Sequence, residues 1–229
     1  ESKNGLVGTN FRFHKNTHNG TEILIMAACR AKGITIIENA ALEPEIDDLI
    51  KFLNLMGAEI SRVAPRIIRV IGKENLSGAK HTIMKDRNEA VTYACASLAT
   101  KGEIVVEGAD PKVLEVFLEK VKEIGGNTQI KENGISFRFE KTLTATDIVA
   151  APYPAFMTDW QPLWTTLMTQ AEGESIVHET IYERRFDYVP GLVKMGAKIN
   201  LFRPEVPSPD ETYNFNIEDD SPENMHAAK

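Results

Sequence analysis

The first third of the chain alternates short apolar runs with longer segments in which apolar residues recur at helical spacing. The stretch containing Ile23, Ile25, Met26 and Cys29 predicts a helix, whereas short runs of β-branched residues predict strands. A second helix is predicted after Pro44, because proline and acidic residues suit the positive first turn of a helix. In this third the pattern predicts strands over 10–13, 34–37 and 67–71 and helices over 21–31 and 45–56.

The same succession of elements occurs three times along the chain. Glycines that precede a β-rich run are 69 and 71 residues apart, at Gly33, Gly102 and Gly173. Glycines that end a second helix are 68 and 71 residues apart, at Gly57, Gly125 and Gly196. Because these spacings agree so closely, we interpret the chain as three copies of one unit. The later copies predict elements over 82–84, 89–100, 104–106, 111–124 and 135–139, and over 147–150, 159–170, 175–177 and 189–195.

Each unit reads as strand, helix, strand, helix and one or two further strands. Such alternation predicts an α/β fold in which mixed sheets pack against helices. The pattern stops near residue 204, where prolines at 204, 207 and 209 and an acidic run at 218–220 favour an irregular tail over 204–229. The start of a further strand and helix is the alternative interpretation of this tail.

Composition narrows the classes of function. Hydrophobic residues make up 42% of the 229 residues and no apolar run approaches the ~18 residues of a membrane span, so a soluble protein is expected. A net charge of −7 argues against nonspecific nucleic-acid binding, which needs a basic surface. The N-terminus does not resemble a signal peptide, and Cys29 and Cys95 lie in apolar helical stretches. We expect both cysteines to be buried, rather than to act as a nucleophile or a disulfide, and we expect a cytoplasmic location.

Polar residues collect at one recurring place, the turn between the first strand and the first helix of each unit. In α/β folds, ligands gather where the carboxyl ends of strands meet the amino ends of helices, whose free N–H groups suit phosphate. The first turn suits a diphosphate, with an ordinary capped turn as the alternative. Its candidate residues are Lys15, Thr17, His18 and Asn19.

The other two turns each carry a charged candidate. Arg87 lies between Asp86 and Glu89, where a structural ion pair is the alternative to ligand binding. Asp159 follows Thr158 at a predicted helix start. The two residues either cap the helix or provide, in Asp159, a base that takes a proton from a substrate hydroxyl.

A second polar cluster spans 179–186, just after the second strand of the third unit, and has a counterpart at 38–45. Solvated surface charge is the ordinary explanation for such a cluster. The five histidines show no metal-ligand spacing, so no metal is assigned.

Several of these segments, taken together and in order, resemble one enzyme family. They are similar to the motifs of the UDP-N-acetylglucosamine 1-carboxyvinyltransferase (enolpyruvyl transferase) family, and the resemblance runs from about residue 6 to residue 199. The segments that carry it are Ile36-Ile37-Glu38-Asn39-Ala40-Ala41, Glu43-Pro44-Glu45-Ile46, Asp86-Arg87-x-Glu89-Ala90, Thr158-Asp159-x-Gln161 and Glu179-Thr180-Ile181-x-Glu183-x-Arg185-Phe186.

The resemblance implies a fold of six βαβαββ units, arranged as an inside-out α/β barrel with three units in each of two domains and the substrate between them. This chain corresponds to the middle three units. Residues 1–84 are then expected to end one domain and residues 85–203 to begin the other, with a hinge near Lys85. Packing of all three units as one pseudo-threefold domain is the alternative.

The resemblance also implies an activity, the transfer of the enolpyruvyl group of phosphoenolpyruvate to the 3′-hydroxyl of UDP-N-acetylglucosamine in peptidoglycan synthesis. The family needs no metal or organic cofactor for this step. Asp159 matches the carboxylate that deprotonates the sugar hydroxyl, and Ile181 matches a sugar-nucleotide contact. The other matches are Lys15, Thr17, His18 and Asn19 in the nucleotide and diphosphate loop, and Glu43, Arg87, Glu183 and Arg185 around the cleft between domains.

Two departures from the family pattern qualify this activity. Thr17, His18 and Asn19 stand where the family usually has a small Ser-Val-Gly-like loop. By the resemblance, the reactive cysteine with its adjacent arginine would precede the chain and an Asp-Leu-Arg segment would follow it. Neither Cys29 nor Cys95 matches the reactive position. We therefore expect a truncated member with negligible activity alone, because transfer needs an acid and cations besides the base.

Two other functions remain open from the sequence. The first is a noncatalytic module that binds a sugar nucleotide or acts as a scaffold. The missing repeats of the same enzyme are a candidate partner of this chain. The second is the related transferase of the shikimate pathway, which has the same repeat. The Asp159 motif and the 179–186 cluster fit the sugar-nucleotide branch better.

Overall fold

Each repeat of the chain builds its own sheet, and the three sheets share one strand order. The computed structural model describes residues 5–215 and 227–229. The first sheet has the order β1-β2-β4-β3, with β2 parallel to β1 and β4 antiparallel to β2 and β3. Its repeat consists of β1 (Asn10–Arg12), α1 (His18–Ala28), β2 (Ile34–Glu38), α2 (Pro44–Leu55), β3 (Glu59–Ala64) and β4 (Ile67–Ile71).

The second repeat has the same order without a first strand. Its sheet is β5-β7-β6, so β5, β7 and β6 take the places of β2, β4 and β3. The elements are α3 (Arg87–Ala99), β5 (Glu103–Glu107), α4 (Glu115–Glu123), β6 (Asn127–Lys131) and β7 (Gly134–Arg138).

The strand predicted over 82–84 is wrong. This segment is held on α2 instead of joining a sheet: His81 Nε2 lies 3.0 Å from Asp48 Oδ2, and the Met84 N–H donates to the same oxygen at 3.3 Å. The His81 ring also stacks on Phe52, with 5.4 Å between ring centroids. One carboxylate thus satisfies a backbone N–H that a sheet would otherwise bind.

The third repeat restores the full strand order. Its sheet is β10-β11-β9-β8, in which β9 is parallel to β8 and β11 is antiparallel to β9 and β10. The elements are β8 (Ile148–Ala150), a 3₁₀ turn (Thr158–Trp160), α5 (Gln161–Met168), β9 (Val177–Glu179), α6 (Val189–Lys194), β10 (Leu201–Phe202), α7 (Pro209–Thr212) and β11 (Ala227–Ala228).

The prediction of an irregular tail over 204–229 is wrong at two places, α7 and β11. β11 lies between β9 and β10, the position that β4 holds in the first sheet. Backbone groups of β9 and β10 would face each other across an empty position without it, and buried backbone groups need partners. The acidic run at 218–220 lies outside the described residues.

Helix boundaries differ from the predicted ones for local reasons. α1 begins three residues earlier than predicted because Thr17 caps it: the Thr17 Oγ1 accepts the Gly20 N–H at 3.2 Å. α4 begins at Glu115 rather than at 111, and a 3₁₀ turn precedes α5. The shift of α1 places Thr17 at its amino end, and Asp159 lies in the 3₁₀ turn that precedes α5.

Residue contacts divide the chain into two compact units, Glu1–Met84 and Lys85–Lys229. In the first, buried residues such as Ile25, Ile37 and Ile46 form one core. In the second, one core joins the second and third repeats, and the ring of Phe117 lies 5.9 Å from that of Trp160 and 6.1 Å from that of Trp164. The second and third repeats therefore fold around shared apolar side chains.

Both cysteines are buried and free, which confirms the prediction. Burial raises the pKa of the Cys29 thiol and raises that of Cys95 to about 12, so neither forms a thiolate near neutral pH. Among the helices of the described ranges, none has the length and apolarity to cross a bilayer.

Candidate functional site

The third repeat gathers its polar residues at one edge of its sheet. β8 and β9 are parallel, with Ala150 opposite Glu179 at their carboxyl ends. The turn that leads to Asp159 follows β8, and the 179–186 cluster follows β9. The two polar segments predicted from the sequence therefore leave the sheet side by side.

Asp159 and Arg185 form an ion pair at this edge. The Arg185 Nη2 donates to the Asp159 Oδ1 at 2.5 Å. Asp159 is exposed and Arg185 is partly buried, and the guanidinium carbon lies 5.7 Å from the Tyr182 ring. An ion pair this exposed adds little to stability. Its consequence is to fix a carboxylate and a guanidinium together where a ligand can reach them.

Glu179 connects the two segments from beneath. Glu179 is 1% exposed. Its carboxylate accepts hydrogen bonds from the Thr158 hydroxyl at 2.9 Å, the Ile181 N–H at 2.7 Å and the Tyr182 N–H at 3.3 Å. Burial raises the pKa of the Glu179 carboxyl, and these hydrogen bonds with the nearby Arg185 charge oppose that rise. Glu179 was not among the candidate residues. The signal that marked it was its position as the first residue of the motif after the strand.

Arg87 lies under the turn that carries Asp159. Its side chain is 2% exposed, and its guanidinium carbon lies 4.9 Å from the Tyr153 ring centroid and 5.7 Å from that of Trp160. Cations over aromatic faces are stabilised by the ring quadrupole. Next to it, the Asn88 Oδ1 accepts the Trp160 Nε1–H at 2.9 Å. The start of α3 thus supports the residues immediately around Asp159.

The acidic neighbour of Arg87 has a capping role. The Asp86 Oδ1 accepts the Asn88 N–H at 2.7 Å and the Glu89 N–H at 3.3 Å. Glu183, another candidate, is exposed and precedes Arg184, which has a left-handed φ of 56°. Ile181 is partly buried, and its N–H is bound by Glu179.

In the first unit the turn after β1 is a capped helix start, as the alternative interpretation allowed. Thr17 is the cap, and His18 Nε2 lies 3.4 Å from Glu22 Oε1. Lys15 is partly buried and Asn19 is exposed.

Two asparagines that were not among the candidate site residues connect this turn to the end of β2. The Asn16 Nδ2 donates to the Asn39 carbonyl at 3.2 Å, and the Asn39 Nδ2 donates to the Phe13 carbonyl at 3.1 Å. Asn39 has a left-handed φ of 55°, which asparagine tolerates better than most residues. The turns after β1 and β2 are therefore cross-linked by side-chain amides.

Glu43 is the most unusual polar residue of the first unit. It precedes α2, makes no side-chain capping bond and is 8% exposed. Within the described part of the chain, its buried Oε2 has no hydrogen-bond partner. A buried carboxylate oxygen without a donor is costly, and a ligand donor would relieve that cost.

The candidates thus fall into two groups, and each compact unit holds one. Glu1–Met84 contains Lys15, Thr17, His18, Asn19 and Glu43, and Lys85–Lys229 contains Arg87, Asp159, Ile181, Glu183 and Arg185. The structure pairs Asp159 with Arg185 and places Arg87 beneath the same turn. Within residues 5–215 and 227–229, no group of three or more His, Cys, Asp or Glu side chains could hold a metal ion.

Most of the chain is similar to one family of known proteins. The family described as EPSP synthase (3-phosphoshikimate 1-carboxyvinyltransferase) matches residues 2–210. A protein of Protochlamydia amoebophila named UDP-N-acetylglucosamine 1-carboxyvinyltransferase is 42% identical over 205 residues, covering 87% of this chain and 43% of that protein. A Brucella ovis protein of the same name is 43% identical over 202 residues, covering 88% of this chain and 47% of its own length.

The chain spans about half the length of the curated relatives it matches. Among solved structures, the enolpyruvyl transferase NikO from Streptomyces tendae superposes with a TM-score of 0.77 at 20% identity, over 87% of this chain and 50% of that one. At that identity the likeness concerns the fold alone, and it confirms the predicted α/β architecture.

Proposed function

The chain belongs to the EPSP synthase family of 1-carboxyvinyltransferases, and from this membership we propose that it serves enolpyruvyl transfer to UDP-N-acetylglucosamine. In that reaction the 3′-hydroxyl of the sugar attacks phosphoenolpyruvate and phosphate leaves. The choice of acceptor rests on relatives that carry this name and are 42–43% identical over 87–88% of the chain. A shikimate phosphate is the competing acceptor.

The single observation that supports the chemistry best is the Asp159–Arg185 pair at the edge of the third sheet. A base that takes a hydroxyl proton must be accessible to substrate and correctly held. Asp159 is exposed, and Arg185 fixes one of its oxygens. We assign Asp159 as the base and Ile181, Glu183, Arg185 and Arg87 as residues that hold substrate or the turn around it.

In the first unit we assign Lys15, Thr17, His18 and Asn19 to the nucleotide diphosphate. The assignment draws on the amino end of α1, whose free N–H groups and dipole favour phosphate. Glu43 is assigned a polar contact with substrate from the family resemblance, and its buried Oε2, which has no hydrogen-bond partner among the described residues, is consistent with that role.

The boundary of the compact units supports a related proposal about domains. We propose that residues 1–84 close one enolpyruvyl transferase domain and that residues 85–203 open the other, joined near Lys85. We further propose that phosphoenolpyruvate and UDP-N-acetylglucosamine are the partners, that no metal or organic cofactor takes part, and that the protein works in the cytoplasm in peptidoglycan synthesis.

Binding of the sugar nucleotide tests the proposal directly. Isothermal titration of the 229-residue chain with UDP-N-acetylglucosamine should show binding, and Asp159→Ala should weaken it about tenfold, the value of one lost charge-assisted hydrogen bond. Glu119→Ala, which removes an exposed carboxylate from α4, is the matched control and should leave the affinity unchanged. Binding of shikimate 3-phosphate instead of the sugar nucleotide would reject the proposed acceptor.

A second measurement separates binding from turnover. Transfer needs an acid that protonates the enol carbon, and both cysteines are buried with raised pKa values. We expect the 229-residue chain to bind the sugar nucleotide but to release no phosphate when phosphoenolpyruvate is added. The burial of both cysteines also favours a second candidate function, a noncatalytic sugar-nucleotide module. Phosphate release at an enzymatic rate would contradict the expectation and that second function together.

A further inference from the structure

The connection between the last two strands of each repeat differs in the third repeat. In the first two repeats it is a tight turn, residues 65 and 66 between β3 and β4 and residues 132 and 133 between β6 and β7. In the third repeat it is the long segment 203–226 between β10 and β11, of which residues 203–215 are described. The third repeat thus carries extra chain at this one position.

The tight turns of the first two repeats have a common contact. The Ala40 N–H donates to the Arg66 carbonyl at 3.0 Å, and the Gly108 N–H donates to the Asn133 carbonyl at 2.6 Å. Ala40 and Gly108 lie just after β2 and β5, the second strands of their repeats. In each case, therefore, the tip of the last hairpin holds the turn that follows the second strand.

In the third repeat the long connection binds the same turn, but the hydrogen bond runs in the opposite direction. The Asn214 N–H donates to the Thr180 carbonyl at 2.7 Å, directly after β9. Thr180 is the residue before Ile181, and its hydroxyl donates to the Ala150 carbonyl at 2.6 Å. Asn214 thus binds the Thr180 carbonyl, and Glu179 binds the N–H groups of the next two residues, Ile181 and Tyr182.

Tyr213 anchors the connection beside this contact. It is buried, and its hydroxyl lies 3.0 Å from the Nε2 of His178, with the two rings 5.5 Å apart edge to face. His178 is the middle residue of β9. The connection is therefore fixed to the strand by a side chain and to the turn by a backbone hydrogen bond.

We propose that Tyr213 and Asn214 are positioning residues, which hold the Thr180–Ile181 turn in the place where it receives the sugar nucleotide. The inference rests on the proposed function, because that function makes Ile181 a substrate contact. It adds a role for Tyr213 and Asn214 in the described part of the β10–β11 connection, and both act on substrate only through the turn. A connection that merely crossed the surface would not need a buried tyrosine and a backbone bond at this turn.

The decisive variant is Asn214→Pro, which removes the donating N–H. Proline restricts the residue before it to extended backbone, and Tyr213 already has φ −95° and ψ 136°. Asn214→Ala is the matched control, since it changes the side chain and keeps the N–H. Tyr213→Phe is a second, milder variant that keeps the ring and removes the hydroxyl contact with His178.

Amide hydrogen exchange of Ile181 and Tyr182, followed by NMR in the 229-residue chain, tests without ligand whether Tyr213 and Asn214 stabilise the turn. We expect exchange about tenfold faster in Asn214→Pro, about fivefold faster in Tyr213→Phe and unchanged in Asn214→Ala, as one lost hydrogen bond predicts. If Asn214→Pro does not fold, Tyr213→Phe alone decides. Wild-type exchange rates in the variant that folds would overturn the inference.

Titration with UDP-N-acetylglucosamine then tests the positioning role. The dissociation constant should rise in the same proportion as the exchange rate, while the urea midpoint of global unfolding stays within error of wild type. Faster exchange with unchanged affinity would overturn the positioning role. If the wild-type chain does not bind the sugar nucleotide at all, the proposed function fails, and the positioning role fails with it. The exchange rates still decide whether Tyr213 and Asn214 stabilise the turn.

Discussion

Replacement of Phe117 by alanine is expected to lower the free energy of unfolding of the Lys85–Lys229 unit by about 3–5 kcal/mol, the range for truncating a fully buried aromatic residue. Phe117 belongs to α4 of the second repeat and is fully buried. Its ring contacts Phe137 of its own repeat and both Trp160 and Trp164 of the third repeat. The cavity would therefore open where the two repeats meet, and neither repeat could refill it alone.

Urea unfolding followed by tryptophan fluorescence measures this effect. Trp160 and Trp164 are the two tryptophans of the chain, so the signal comes from the third repeat although the mutation lies in the second. Ile130→Ala on β6, at a side chain 70% exposed, is the control and should change stability by less than about 0.5 kcal/mol. A tryptophan transition that Phe117→Ala leaves in place would mean that the two repeats do not share a core.

Much of the architecture could be predicted from local sequence. The glycine spacings and the alternation of strands and helices led to the three repeats, and the family match and the superposition on an enolpyruvyl transferase confirm both the resemblance and the fold class. Those signals are short-range, because each strand or helix encodes its own periodicity. The first strand, the helix after it and the last strand of the first repeat were found in this way.

The errors came from contacts between distant residues. Residues 82–84 have the apolar content of a strand, but Asp48, far away in sequence, binds His81 and the Met84 N–H. Ala227 and Ala228 have little β propensity, yet the position between β9 and β10 makes them a strand. Propensity alone does not reveal which partner strand a short segment will meet.

The candidate site was predicted only in part, because contacts between residues distant in sequence also decide its geometry. Asp159 and Arg185 were each singled out from the sequence, and the structure brings them together because the parallel strands β8 and β9 end at the same edge of the sheet. The roles of Glu179 and Asn39 could not be predicted, since both depend on which backbone groups the folded turns present. Sequence position marks where polar residues collect, and the fold decides which of them bind each other.

The three repeats use one position in three different ways. Each second strand ends in a glutamate, at Glu38, Glu107 and Glu179. Glu38 forms an exposed ion pair with Arg12, and Glu107 is exposed. Only the third is buried, and it binds two turns. The repeat thus has a carboxylate at the same position in each copy. Only in the third copy is this carboxylate buried between the two turns of the candidate site, which it holds by hydrogen bonds.

Glu179→Ala is accordingly expected to lower the free energy of unfolding by about 2–4 kcal/mol, because buried donors left without an acceptor cost about 1–3 kcal/mol each. The N–H groups of Ile181 and Tyr182 and the Thr158 hydroxyl lose their shared acceptor in this variant. Glu179→Gln keeps an acceptor oxygen and removes only the charge, so it should cost much less. Chemical unfolding at pH 7 measures both variants, and equal losses would show that charge rather than hydrogen bonding is responsible.

The dependence on pH separates these two contributions further. Burial raises the folded-state pKa of Glu179 above its ordinary value, so the native state holds the proton more tightly than the unfolded chain does. The resulting stabilisation is complete below the ordinary pKa of about 4.3 and is lost as the pH rises through the folded-state pKa. Wild type should therefore lose stability relative to Glu179→Gln as the pH rises from 4 to 7. A difference that stays constant, or that grows in favour of wild type over this range, would mean that the hydrogen bonds to the carboxylate outweigh its burial.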